Sequence, residues 1–253
     1  MYNNKQRRRR LPGAKEAPML RDRIMERGKT CNYLILSLIF FIASCAATHQ
    51  QAVQSLRDAK VCCQSMAGFQ YEPLPEGKRV DFQLDASSPA FRFESGKSFF
   101  KAFSLPKKQV PYYVRIRSFG LGETIKAAHI FYPQLALLDE HYRVVAKNDP
   151  GAVFVKKAGM TETASVSWTA LGIKFDDALQ VDNPDARYVV VYTTDEMLEA
   201  VSPYSTVQIV PVIIPGIVTA VPIGKEAVLI PHSPHGILSI EVTDKPLPDT
   251  RKP

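Results

Sequence analysis

From Val80 onward, apolar residues recur at every second position, a spacing that suits strands and not helices. Val80, Phe82 and Leu84 alternate with polar neighbours, Phe91 and Phe93 repeat the pattern, and Phe100, Ala102 and Ser104 interleave with Phe99, Lys101 and Phe103. Glu94-Ser95-Gly96-Lys97 supplies a hairpin turn between them. In residues 112–119 the same period sets Val114 and Ile116 on one face and Arg115 and Arg117 on the other, which predicts a strand with one wet face. Residues 130–139 run to a turn at Glu140-His141-Tyr142 and return along Arg143-Val144-Val145, with Pro133 marking a bulge or sheet edge. Residues 153–155, 164–168 and 187–194 supply three more strands. The last holds the β-branched run Val189-Val190-Val191 expected of a central strand, entered through the turn Asp182-Asn183-Pro184-Asp185. Residues 236–242 close the series.

Only residues 195–201 read as helix, with acids in the first turn and Thr194 or Asp195 as cap. Many short strands at regular spacing predict an all-β fold, a jelly-roll-like β-sandwich with one short helix. Residues 207–222 differ, because prolines break their apolar run. They predict an extended arm, poor at pairing with itself. The arm is either an ordinary packed edge or a docking surface that offers Ile209, Val212, Ile213, Ile214 and Ile217 to a partner.

The N-terminal part is an address. Leu34 to Cys45 is a short apolar run preceded by Arg27 and Lys29 and ending in small residues, the pattern of an export signal. A membrane span would need about 20 apolar residues, so the run is too short to cross. Ile42-Ala43-Ser44-Cys45 resembles the bacterial lipobox, which implies a diacylated Cys45 as first residue of the mature chain and anchoring in membrane lipid. The same resemblance implies a sorting rule read at the residue after the cysteine, by which Ala46, not an aspartate, favours the outer membrane over the inner one. Residues 1–24 are too long and basic for a leader, so Met25 or Met19 is the expected start and 1–24 a mis-assigned extension. The expected organisation is then a signal peptide at 25–44, a lipidated polar tether with a helical turn or more at 45–61, a β-sandwich domain at 62–243 and a disordered tail at 244–253.

Charge follows this division. The chain carries +7, but residues 1–29 hold ten Lys/Arg and three Asp/Glu, which account for all of it. The mature part is neutral and has no basic footprint for nucleic acid. Once Cys31 leaves with the signal and Cys45 takes lipid, Cys62 and Cys63 remain side by side. They either close a vicinal disulfide in an oxidising periplasm, or stay as two thiols with one packed inward.

Catalytic motifs are missing: no Gly-x-Ser-x-Gly elbow, no His-Glu-x-x-His and no Gly-rich phosphate loop. His232 and His235 could share a metal but lack further ligands, and a turn with solvent-facing or capping histidines is the plainer reading. Asp176, Asp177, Asp182 and Asp185 lack calcium-loop spacing and read as solvated turns. No cofactor or metal is expected. Exposed aromatic faces for sugar could come from Tyr112, Tyr113, Tyr132 or Trp168, although a lone Trp is more often core.

The order of several features resembles the maltose-operon periplasmic protein family, MalM. These are the Phe-rich strand ending in Leu105-Pro106, Phe131-x-Pro133-x-Leu135-x-Leu137-Leu138-Asp139, Val191-Tyr192-Thr193-Thr194-Asp195, and Ile230-Pro231-His232-Ser233-Pro234-His235-Gly236 before a last strand. The resemblance covers residues 62–243 and implies an exported protein encoded with maltose and maltodextrin uptake genes, with no catalytic residues to carry over. Three functions stay open: a non-catalytic envelope protein that docks on a maltodextrin channel or sugar-binding protein, a carbohydrate-binding module, and a hydrolase with an unrecognised site.

Overall fold

The computed structural model describes residues 48–148, 156–157, 170–214 and 217–247. Two five-stranded sheets dominate them. The first orders β1 (Tyr71–Pro73), β5 (Lys101–Ser104), β11 (Tyr188–Tyr192), β7 (Gln134–Leu138) and β8 (Val144–Lys147) as β1-β5-β11-β7-β8. The second orders β2 (Val80–Leu84), β14 (Gly236–Thr243), β6 (Tyr112–Leu121), β10 (Ala170–Val181) and β9 (Lys156–Lys157) as β2-β14-β6-β10-β9.

One apolar cluster takes side chains from both sheets. Val114 and Ile116 of β6 and Leu238 and Ile240 of β14 meet Phe103 of β5, Val189 and Val191 of β11 and Leu135 of β7. Each fully buried side chain of this size stabilises by about 1.5–3 kcal/mol, which is why the period-two pattern fixes the inner faces. The expected central strand is β11, in the middle of its sheet, with all three valines buried. The β1–β5 pair is parallel, Tyr71 opposite Ala102, which an all-antiparallel jelly roll does not contain.

A hairpin of β3 (Ala90–Phe93) and β4 (Gly96–Phe99) turns at Glu94-Ser95, as the sequence predicts. Its Phe91 and Phe93 cover the outer side of the first sheet, packing with Phe69, Phe100, Val190 and Tyr192. The predicted wet face of β6 is instead an ion-pair network. Arg115 Nε donates to Asp176 Oδ1 at 2.8 Å, Arg117 Nη2 donates to Glu241 Oε1 at 2.7 Å, and Arg117 is only 8% exposed. Register explains it, since Arg117 stands opposite Asp176 and Arg115 opposite Glu241 on neighbouring strands.

Two segments go beyond the sequence reading, and one matches it. The twelve-residue β10 was not expected, and it places Asp176 and Asp177 on a strand and not in a solvated turn. The supposed tether contains a ten-residue helix, α1 (His49–Asp58), opened by a reciprocal Thr48/Gln51 capping box and packed through Leu56 into the main cluster. The short helix predicted after Thr194 is α2 (Asp195–Glu199), where the Thr194 hydroxyl accepts from Met197 N at 3.1 Å.

The Pro-rich stretch does pair with itself: β12 (Val201–Ile214) and β13 (Ile217–Pro231) form a two-stranded antiparallel ribbon with a bulge after Gln208. Both strands are edges, so a proline such as Pro203, Pro211 or Pro222 can be accommodated where its missing N–H faces away from the partner. The base of the ribbon is held by Ile230, Tyr204 and Val228 packing with Tyr132, Ile173 and Phe175. No helix among the described residues is long and apolar enough to cross a membrane.

Candidate functional site

A cavity of about 500 Å³ opens where the chain enters the first sheet. Cys62 and Cys63, joined by a disulfide, form part of its wall. The backbone fixes them, because Cys62 N donates to Ala90 O at 2.9 Å and Val61 bridges to Ala90. A 3-10 turn over Met66–Gly68 then brings Phe69 onto Phe100 with ring centroids 4.0 Å apart. Phe100 is the corner residue between β4 and β5, so the next residue, Lys101, starts β5 on the opposite face. Parallel pairing with β1 brings Lys101 Nζ to the Glu72 carboxylate, to which it donates. Gln70 and Ser87 complete a polar rim. The cavity therefore offers one apolar wall and one balanced cation–carboxylate pair.

On the outer side of the same sheet three tyrosines from distant parts of the chain gather. Tyr71 of β1, Tyr188 of β11 and Tyr142 in the turn before β8 have centroids 4.3, 5.1 and 5.6 Å apart. Tyr142 adopts a positive φ of 61°, and the turn is held by the Asp139 carboxylate, which accepts from the backbone N–H groups of His141 and Arg143 and from the Arg143 guanidinium. Those donors hold the Asp139 carboxyl below its usual range, the Arg143 backbone N–H most of all. A hydrogen bond with Tyr142 raises the Tyr188 phenol, and burial raises Tyr71, with both other tyrosines adding to it.

A second cavity, about 480 Å³, is lined by Lys107, Lys108 and Arg187 over a Tyr112 floor. Lys108 pairs with Glu76 and Asp244, and these hydrogen bonds raise its pKa.

Four of the five histidines also converge. His49 Nε2 donates to the His232 carbonyl at 2.8 Å, His232 Nε2 meets Ser202 Oγ at 2.7 Å, and His235 Nε2 meets Ser55 Oγ at 2.8 Å. His129 lies 6.2 Å from His49. Burial lowers the pKa of His232 and His235 and pushes His129 down to about 4. His232 and His235 are therefore buried and bonded to protein groups; of the two expectations for this turn, solvent-facing or capping, His232 follows the second, its Nδ1 donating to the Met197 carbonyl at 2.7 Å. Among the described residues, no group of three or more His, Cys, Asp or Glu is arranged to hold a metal ion. Asp177 Oδ2 accepts from Asn148 Nδ2, and Asp182 Oδ1 from Gln180 Nε2.

Of the aromatic candidates, Tyr112 and Tyr132 are 2% and 0% exposed, so neither presents a face to sugar. Tyr113 is half-buried. Trp168 and Cys45 lie outside the described residues, as do the strands expected at 153–155 and 164–168. Ile209, Val212, Ile213, Ile214 and Ile217 fall in the ribbon, with Ile214 opposite Ile217 at its tip, but their side chains lie outside what the structure describes. The sequence reading missed Tyr71, Tyr142 and Tyr188, whose gathering depends on strand register.

No curated protein and no solved structure matches the chain. A family model does: maltose operon periplasmic protein precursor (MalM) matches residues 95–242, from the turn of the first hairpin to the last strand. That span takes in four of the five strands of each large sheet, β1 and β2 lying before it, and more than half of the sequence, and the chain belongs to the MalM family.

Proposed function

We propose that the chain is a non-catalytic envelope protein serving maltose or maltodextrin transport, built as a β-sandwich and held on the periplasmic side of the outer membrane by acyl chains on Cys45. Family membership carries the reading, since the matching family is described as a periplasmic protein of the maltose operon. The anchor is the sequence's own contribution, through the lipobox-like Ile42-Ala43-Ser44-Cys45. The ribbon tip around Ile213 and Ile217 is the surface for a channel or sugar-binding protein.

The test is uptake of labelled maltodextrin by cells with and without the gene. Slower uptake, with no reducing ends released when the purified protein is incubated with maltodextrin, supports the reading. Unchanged uptake, or release of reducing ends, overturns it. Cys45→Ala should move the protein from the membrane to the soluble fraction. A second reading, direct carbohydrate binding, is favoured by the cavity beside Phe69 and Phe100.

A further inference from the structure

We infer that the cavity walled by Cys62–Cys63 is a binding site for a neutral pyranose, specifically a glucose unit of a maltodextrin. The inference rests on the transport reading for the identity of the sugar and on the cavity for the site.

Its volume, about 500 Å³, lies within the ~300–1,000 Å³ of small-molecule sites. The lining excludes other ligand classes by charge. Glu72 and Lys101 are its charged residues, and they pair with each other, so an anion meets no uncompensated cation and a cation no uncompensated carboxylate. A hydrocarbon would desolvate the Glu72–Lys101 pair and the Gln70 and Ser87 side chains without giving them a hydrogen bond in return. A polyol meets them: hydroxyls donate to the Glu72 carboxylate and to Ser87 Oγ, whose own proton goes to Asp85 Oδ1, and accept from Lys101 Nζ and Gln70, while the C–H face of the ring lies on the exposed Cys62 and Pro89.

The two rival sites on the surface fit a sugar less well. The tyrosine trio has centroids within 5.6 Å of one another, so its ring faces are spent on each other. The second cavity is lined by Lys107, Lys108 and Arg187 with no carboxylate among them, so it offers sugar hydroxyls charged donors without a charged acceptor.

The test is isothermal titration of the intact purified protein with maltotriose. Lys101→Met removes a charged donor and Ser87→Trp fills the rim, and each should weaken binding about tenfold or more. Tyr142→Ala, outside the cavity, should leave binding within about twofold, a change worth less than RT in free energy. Thermal melting checks each variant, and if Ser87→Trp does not fold, Lys101→Met decides alone. No heat with maltotriose, unchanged affinity in Lys101→Met, or loss of binding in Tyr142→Ala alone overturns the site. Absent binding with gene-dependent uptake removes the cavity site and keeps the transport reading. Cavity-dependent binding with gene-independent uptake does the reverse.

Discussion

Ser202 Oγ and His232 Nε2 stand 2.7 Å apart with both residues fully buried, and the direction of this hydrogen bond is fixed. His232 Nδ1 lies 2.7 Å from the Met197 carbonyl, which can only accept, so the ring proton is on Nδ1 and the Ser202 hydroxyl donates to Nε2. Tyr132 stacks on the same imidazole at 4.8 Å. Ser202→Ala would leave Nε2 buried without a donor and should cost about 1–3 kcal/mol in a denaturant titration. A loss below about 0.5 kcal/mol, the range of neutral surface changes, would show that the pair does not hold the ribbon base.

Acid sensitivity should centre on His129. It is 3% exposed, and burial, with His49 adding and an Ala127 backbone contact opposing, brings its pKa to about 4. The folded value lies below the unfolded one, about 6.5, so the unfolded chain binds the proton first. The contribution of the neutral ring to stability is whole above about pH 6.5 and falls away as pH drops toward 4. The difference is on the order of 3 kcal/mol. His129→Phe should flatten this decline in denaturation midpoints taken between about pH 7.5 and about pH 4, an interval of ~3.5 units that spans the ordinary imidazole range. Part of the slope should remain, because His232 and His235 shift in the same direction. An unchanged slope would place the acid response elsewhere.

Gly96 should be intolerant of a side chain. Its φ is +119°, and a Cβ there would meet the Asp195 carboxylate at 2.1 Å, where Asp195 N also donates to Ser95 O. Gly96→Ala should cost about 1–3 kcal/mol from backbone strain, plus the displacement of Asp195. The double variant Gly96→Ala/Asp195→Ala should recover only the second part. Full recovery would mean that contact, not conformation, sets the cost.

Leu56→Ala separates a packed helix from a tether. Leu56 is 6% exposed and belongs to the main apolar cluster, so the substitution should cost about 2–5 kcal/mol in thermal or chemical unfolding. A melting curve indistinguishable from that of the unsubstituted protein would return residues 48–58 to the role of spacer.

Inner faces were legible in the sequence because period two reports directly which side of a strand is dry. That parity also contained a correction: it sets Tyr112 with Val114 and Ile116, and Tyr113 with Arg115, so Tyr112 had to be buried. Helix α1 was legible only as a helical turn or more in a tether, because only Ala52 and Leu56 are buried on an otherwise polar helix, though its capping box stands at Thr48 and Gln51. The cavity and the tyrosine trio were beyond reach, since each joins residues that pairing register alone makes neighbours. The ribbon was misjudged because proline counts against pairing in a central strand but not on a two-edged ribbon.

Strand β14 lies between β2 and β6, with Leu84 opposite Gly236 and Ile116 opposite Ile240. Synthesis delivers the chain N-terminus first, so β2 emerges well before β14, its hydrogen-bonding partner. Contacts this distant along the chain make assembly slow, because loop-closure entropy is spent before pairing returns anything. The second sheet is then complete only when the chain is free as far as β14. Until that moment the Val80–Leu84 edge stays open to any extended chain it meets, and a truncation before Gly236 would leave it open permanently.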